Sequence, residues 1–166
     1  MPRAPAAGVE VLFRAHAPEF GRYLVAMVRD RSLAEDLLQD TFHDALRAED
    51  RLDGIVNERA WLYGIARHRA LRALRRGRRF QRAVVRLAAS REVACEEDEA
   101  IFALLDLLDR ELSSEPRALV LLRYVHGFRA AELAEMTGLS AEVVRQRLSR
   151  GRARLLAATS ADPKEA

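Results

Sequence analysis

Cysteine is almost missing from this 166-residue chain: Cys95 stands alone, so no internal disulfide can close. Beside it are only His16, His43, His68 and His126, and no Cys/His set has the spacing of a zinc site. No cofactor, metal or catalytic residue is expected, and a reducing compartment fits. Long apolar runs are missing too. Nothing approaches the roughly 18 consecutive apolar residues of a membrane span, and the opening MPRAPAAGVE lacks the apolar core of a secretory signal. The chain is therefore expected to stay in the cytoplasm without inserting into a membrane. Lysine is scarce, with Lys164 the only one among 28 basic residues, which genome base composition explains without any function. Strand patterns are absent, because β-branched residues do not cluster and apolar positions do not alternate with polar ones.

What is present is an apolar periodicity of three and four over nearly the whole length, which predicts an all-α fold. The length holds one ordinary domain or two small ones, and the charge pattern suggests two. The net charge is +3, yet nine arginines fall within 67–86 and five within 145–154, separated by Glu96-Glu97-Asp98-Glu99. Two basic surfaces joined by an acidic link suggest a polyanion binder with two sites. Residues 1–8 read as a disordered tail. A first helix is expected over 9–17, with Pro18, tolerated in a first turn, opening a second through residue 28. Ser32 and Glu35 have capping-box spacing for a long helix to about residue 48. Asp53-Gly54 marks a turn, and Asn57 is placed to cap a helix from 58 to about 76. These four helices are expected to form one small helical domain over 9–77. Residues 78–98 read as a flexible linker, 99–157 as a second small helical domain and 158–166 as a tail.

The second domain carries the sharpest motif. Residues 128–155 read FRAAELAEMTGLSAEVVRQRLSRGRARL, two helical patterns broken at Thr137-Gly138-Leu139. Gly138 can take the positive φ that a tight reversal demands, and Ser140 stands where a hydroxyl caps the next helix. From Ala141 onward, about 100° per residue puts Val144, Leu148, Gly151 and Leu155 on one core-facing stripe. The other side bears Arg145, Gln146, Ser149 and Arg150, whose donors and acceptors match base edges in a major groove. Arg147, Arg152 and Arg154 flank the stripe as phosphate contacts. Together these features predict a helix-turn-helix DNA reader.

Three blocks of the first domain then resemble a known family: SLAEDLLQDTFHDAL over 32–46, AWLYGIAR over 60–67 and ALRR over 73–76. They are similar to the second conserved region of the extracytoplasmic-function sigma factors, the compact group 4 of the sigma-70 family of bacterial RNA polymerase. The second domain resembles their fourth region, so the resemblance spans about 9–157. It implies an alternative sigma factor, not an enzyme, that binds core RNA polymerase and directs promoter-specific initiation. By resemblance, Glu35, Asp36, Gln39 and Asp40 face the clamp helices of the largest polymerase subunit, and the fourth region meets the flap of the second-largest. The loop at 53–57, with Asp53 and Asn57, corresponds to the pocket for a base flipped from the melted −10 strand. Trp61, Tyr63, Arg67, His68, Arg69, Arg72 and Arg76 follow on the −10-facing helix, the arginines as phosphate contacts. Trp61 and Tyr63 suit either stacking on an unpaired base or a place in the core. Arg145, Gln146, Arg147, Ser149, Arg150 and Arg152 fall where the family reads the −35 duplex. The resemblance also implies a cognate anti-sigma factor, which occludes these surfaces and can hold the chain at the membrane.

The sequence departs from the family at two places. His68 stands where asparagine is common, offering one donor and one acceptor in place of an amide pair, and Ile55-Val56-Asn57 replaces smaller and aromatic residues near the end of the loop. Three other functions suit parts of the pattern. A stand-alone helix-turn-helix regulator would bind duplex DNA without polymerase, and a sigma-like decoy would titrate an anti-sigma factor without needing Arg145 and Arg150. A helical metalloenzyme would use the Asp40-x-x-His43 spacing, but needs a second copy of that motif, which the sequence lacks.

Overall fold

The computed structural model describes residues 8–83 and 99–161, and every regular element among them is helical. The fold is all-α and divides into two compact units, Met1–Val93 and Ala94–Ala166. Residues 1–7 and 162–166 of the proposed tails (1–8 and 158–166), and residues 84–98 of the proposed linker, which include Cys95, lie outside the described residues.

The N-terminal unit consists of α1 (Val9–Val28), α2 (Arg31–Arg47), a 3₁₀ segment (Glu49–Gly54) and α3 (Glu58–Ala83), with the three α-helices packed pairwise. Its first helix differs from the two expected around Pro18: α1 runs unbroken, with Pro18 inside it. A proline there removes one backbone hydrogen bond and costs about 3 kcal/mol. One apolar stripe nevertheless continues across it, from the buried Val9 to Phe20, Tyr23, Leu24 and Met27, and each such side chain contributes roughly 1.5–3 kcal/mol when buried. Continuity of the core therefore overrides the local breaker. The start of α2 also differs. Asp30 Oδ1, not Ser32, accepts the Leu33 N–H at 2.9 Å, and Glu35 lies beside Arg31 at 3.9 Å. The buried stripe of α2 is Ala34, Leu37, Thr41 and Ala45, while Leu46 is exposed. At the other end of α1, Glu49 reaches across from the 3₁₀ segment to accept the Val9 N–H at 3.1 Å.

Helix α3 begins as its sequence predicts, with Asn57 Oδ1 accepting the Ala60 N–H at 2.9 Å. It continues past Arg76 to Ala83. Gly77 weakens a helix by only about 1 kcal/mol relative to alanine, and the flanking arginines are good helix formers. Rings from all three helices make the core: Phe13 lies tilted against Phe42 at 4.8 Å, Phe20 meets Tyr63 edge-on at 4.5 Å, and Tyr23 meets Tyr63 at 5.5 Å.

Two ion pairs clip α3 to its neighbours, Arg59 to Glu19 of α1 at 2.9 Å and Arg69 to Asp44 of α2 at 2.6 Å. The hydrogen bonds from Arg59 and Arg69 hold the Glu19 and Asp44 carboxyls below the usual carboxylate range. A carboxylate with a depressed folded pKa stabilises above its unfolded pKa and loses that contribution as pH falls through the folded value. Urea midpoints of the chain should thus hold from neutral pH down to about 5 and fall below about 4. Replacing Arg59 and Arg69 by alanine should flatten that acid slope.

The C-terminal unit contains α4 (Glu99–Glu111), α5 (Ser114–Val120), a π turn (Leu121–Val125), α6 (Ala130–Thr137) and α7 (Ala141–Ala161), so that α7 extends beyond the expected end at 157. Pro116 lies in the first turn of α5, where its missing N–H is harmless. Leu108, Leu112, Leu119, Leu122, Phe128, Leu133, Val144 and Leu148 are buried together. Arg117, itself buried, donates to Asp109, joining α5 to α4.

Candidate nucleic-acid and polymerase interfaces

In the C-terminal unit, local chemistry builds the turn. Gly138 has φ +70° and its N–H bonds to the Ala134 carbonyl at 2.9 Å, closing α6 with a left-handed residue. Ser140 Oγ then accepts the Val143 N–H at 3.2 Å, which starts α7. Any residue with a Cβ at position 138 would be strained, although open space surrounds it. Gly138→Ala should therefore destabilise this unit by about 1 kcal/mol, read as a lower urea midpoint, while Gly138→Asn should recover much of it because asparagine tolerates left-handed backbone.

Helix α7 lies as the sequence predicts. Val144 and Leu148 are buried, and Gly151 sits so close to α5 that an added Cβ would come within 3.2 Å of Val120. Opposite them Arg145, Gln146, Ser149 and Arg150 are exposed on consecutive turns, with Arg152 and Arg154 exposed further on and Arg147 half-buried at the edge. The exposed row is thus a polar, cationic strip held rigid by its own buried reverse side.

The N-terminal unit presents two surfaces. On α2, Glu35, Asp36, Gln39 and Asp40 are all exposed, above the buried Ala34, Leu37 and Thr41. On α3, His68, Arg72 and Arg76 are exposed, Arg67 and Trp61 are half-buried, and Arg69 is mostly enclosed. The loop before α3 is pinned by the buried Leu52, whose carbonyl accepts the Ile55 N–H at 2.9 Å, and leaves Val56 90% exposed. Asp53 lies within the 3₁₀ segment of that loop.

Three residues of the −10-facing set, Tyr63, Arg69 and Asn57, have partners within the unit. Tyr63 is fully buried between Phe20 and Tyr23, with the Arg59 guanidinium 5.1 Å from its ring centroid and its hydroxyl 3.4 Å from Glu19. Burial pushes its hydroxyl pKa far up, and it belongs to the core. Arg69 is bonded to Asp44 and Asp40 of α2, so Nε, Nη1 and Nη2 each donate to a carboxylate of that helix. Asn57 directs its side-chain oxygen to the α3 cap. For Tyr63 and Arg69 the partners lie on other helices, and helical spacing alone carries no sign of them, whereas the Asn57 cap is the one its sequence predicts. Arg59 and Glu19, which set the start of α3 against α1, were missed for the same reason. Asp40 of the Asp40-x-x-His43 pair is likewise taken by Arg69, and no group of three potential metal ligands occurs among the described residues.

Residues 12–80 match the family model of sigma-70 region 2, and residues 102–155 match that of sigma-70 region 4. The RNA polymerase sigma factor CarQ of Myxococcus xanthus is 34% identical over 146 residues, 86% of this chain and 83% of CarQ. The ECF RNA polymerase sigma factor SigL of Mycobacterium tuberculosis is 30% identical over 151 residues, 87% of this chain and 85% of SigL. Among solved structures, CnrH in complex with the cytosolic domain of CnrY is similar, with a TM-score of 0.71 and 26% identity over 93% of this chain and 89% of that one. Both conserved regions occur in order on the two units described above, and the chain belongs to the sigma-70 family of RNA polymerase sigma factors, in its extracytoplasmic-function group.

Proposed function

We propose that this alternative sigma factor divides promoter-directed initiation between its two units as follows. The α2 row of Glu35, Asp36, Gln39 and Asp40 docks on the clamp helices of the largest subunit of core RNA polymerase, and the C-terminal unit meets the flap of the second-largest. Helix α7 enters the major groove of the −35 duplex, where Arg145, Gln146, Ser149 and Arg150 meet base edges and Arg147 and Arg152 meet phosphates. The 53–57 loop and the Trp61, Arg67, His68, Arg72 and Arg76 side of α3 receive the melted −10 strand.

The observation that carries this reading is the α7 row: Arg145, Gln146, Ser149 and Arg150, side chains with donors and acceptors suited to base edges, stand exposed over the buried Val144, Leu148 and Gly151. Each bidentate pair with a base contributes roughly 1–3 kcal/mol of discrimination. At the −10 element, extruding a base costs a few kcal/mol, which a shaped loop and flanking cations must offset. Two weak DNA sites on one chain gain by effective concentration once polymerase sets their spacing. The chain contributes no catalytic step of its own; the polymerase supplies nucleotidyl transfer. It works in the cytoplasm, and no helix among the described residues is long and apolar enough to cross a membrane. A cognate anti-sigma factor is a further expected partner; the similar chain CnrH is itself solved in complex with another protein, the cytosolic domain of CnrY.

Permanganate footprinting tests this division of labour. On a promoter opened by core polymerase with this chain, thymines of the −10 element should become reactive, and neither component alone should produce them. Tight duplex binding by the chain alone, with no reactive thymines when polymerase is added, would support the stand-alone regulator instead.

A further inference from the structure

Arg69 sits in the arginine-rich stretch of α3, yet its guanidinium is directed to α2. Nε and Nη2 donate to the two oxygens of Asp44, both at 2.6 Å, and Nη1 donates to Asp40 at 3.1 Å. The Arg69 side chain is 24% exposed, against 31% for Asp44 and 52% for Asp40. A planar fork meeting one carboxylate with two bonds and a second with the remaining arm is a geometry that arginine makes and lysine cannot. One positive charge here faces two negative ones, so Arg69 adds no net attraction for a phosphate. It does fix the carboxylate of Asp40, one of the four exposed residues of the α2 row, and it holds α3 in a set register against α2.

We propose that Arg69 is a positioning residue for promoter opening and not a DNA ligand: through Asp44 and Asp40 it sets the polymerase-facing row of α2 and the promoter-facing row of α3 in one fixed relation. This rests on the assignment of those rows made above. Loss of the fork leaves two carboxylates unneutralised beside the −10 surface and lets α3 shift, so opening suffers more than recruitment.

Two experiments on the full chain test it. In urea unfolding without polymerase, Arg69→Ala, Asp44→Ala and the double variant should show coupling of about tenfold in the unfolding equilibrium constant. Simple additivity would overturn the pairing. With reconstituted holoenzyme, at a temperature where all variants are folded, Arg69→Lys should lower the open-complex yield about tenfold. The slope of promoter affinity against salt should stay unchanged. The exchanged pair Arg69→Asp with Asp44→Arg should restore the yield. A phosphate contact would instead tolerate lysine, lose about one unit of salt slope on Arg69→Ala, and gain nothing from the exchange; that pattern would overturn the proposal. If the wild-type holoenzyme opens no promoter, the assignment of the two rows fails and the positioning role falls with it, while the unfolding cycle still decides whether Arg69 belongs to Asp44.

Discussion

Tyr63→Ala is expected to lower the stability of the N-terminal unit by about 3–5 kcal/mol, the range for deleting a large buried aromatic. Tyr63 is fully enclosed, 4.5 Å from the Phe20 ring and 5.5 Å from the Tyr23 ring, so its removal opens a cavity where all three helices of the unit meet. A small domain has only about 5–15 kcal/mol in total, so the loss is a large share of it. Tyr63→Phe keeps the ring and removes the hydroxyl, which lies 3.4 Å from Glu19, and should cost far less, about 1 kcal/mol. Urea unfolding of the two variants checks this. If Tyr63 acted by stacking on a promoter base, Tyr63→Ala would leave stability near wild type and reduce only −10 binding.

Arg145→Ala should reduce promoter affinity by about 1–3 kcal/mol at one −35 base and relax specificity there, because a guanidinium fork reads a guanine edge with two bonds. The side chain is exposed on α7 one residue past the buried Val144, so its deletion leaves the core intact. Arg152→Ala should behave differently, weakening binding by a similar amount on every −35 sequence and reducing the salt slope by about one. Holoenzyme binding to a set of single-base −35 variants separates the two. Equal losses from Arg145→Ala across all variants would reclassify it as a phosphate contact.

The parts of this molecule legible in its sequence are those decided within a few residues. Gly138, Ser140 and the Val144–Leu148–Gly151 spacing fix the turn and the face of α7 by local backbone chemistry, and Asn57 caps α3 from three residues away. What escaped were contacts that close over long separations. Asp30 wins the α2 cap over Ser32 because the chain reverses through the left-handed Arg29, a turn that spacing does not announce. Pro18 stays inside a helix because the core on either side of it is continuous. Tyr63 and Arg69 follow the helical spacing expected of a DNA-facing row, yet Phe20, Glu19 and Asp44 draw them inward from other helices. For a row of arginines on a helix, the deciding question is therefore which carboxylates the neighbouring helices bring near, and only the packed structure answers it.

The most direct measurement of the central claim is transcription in vitro from a genomic DNA library, using purified core RNA polymerase with and without this chain, followed by mapping of transcript starts. Starts should appear only when the chain is present and should share two upstream motifs at fixed spacing. Those starts should be lost on Arg145→Ala with Arg150→Ala. A start pattern unchanged by the chain, while the chain alone binds duplex DNA tightly, would contradict that claim.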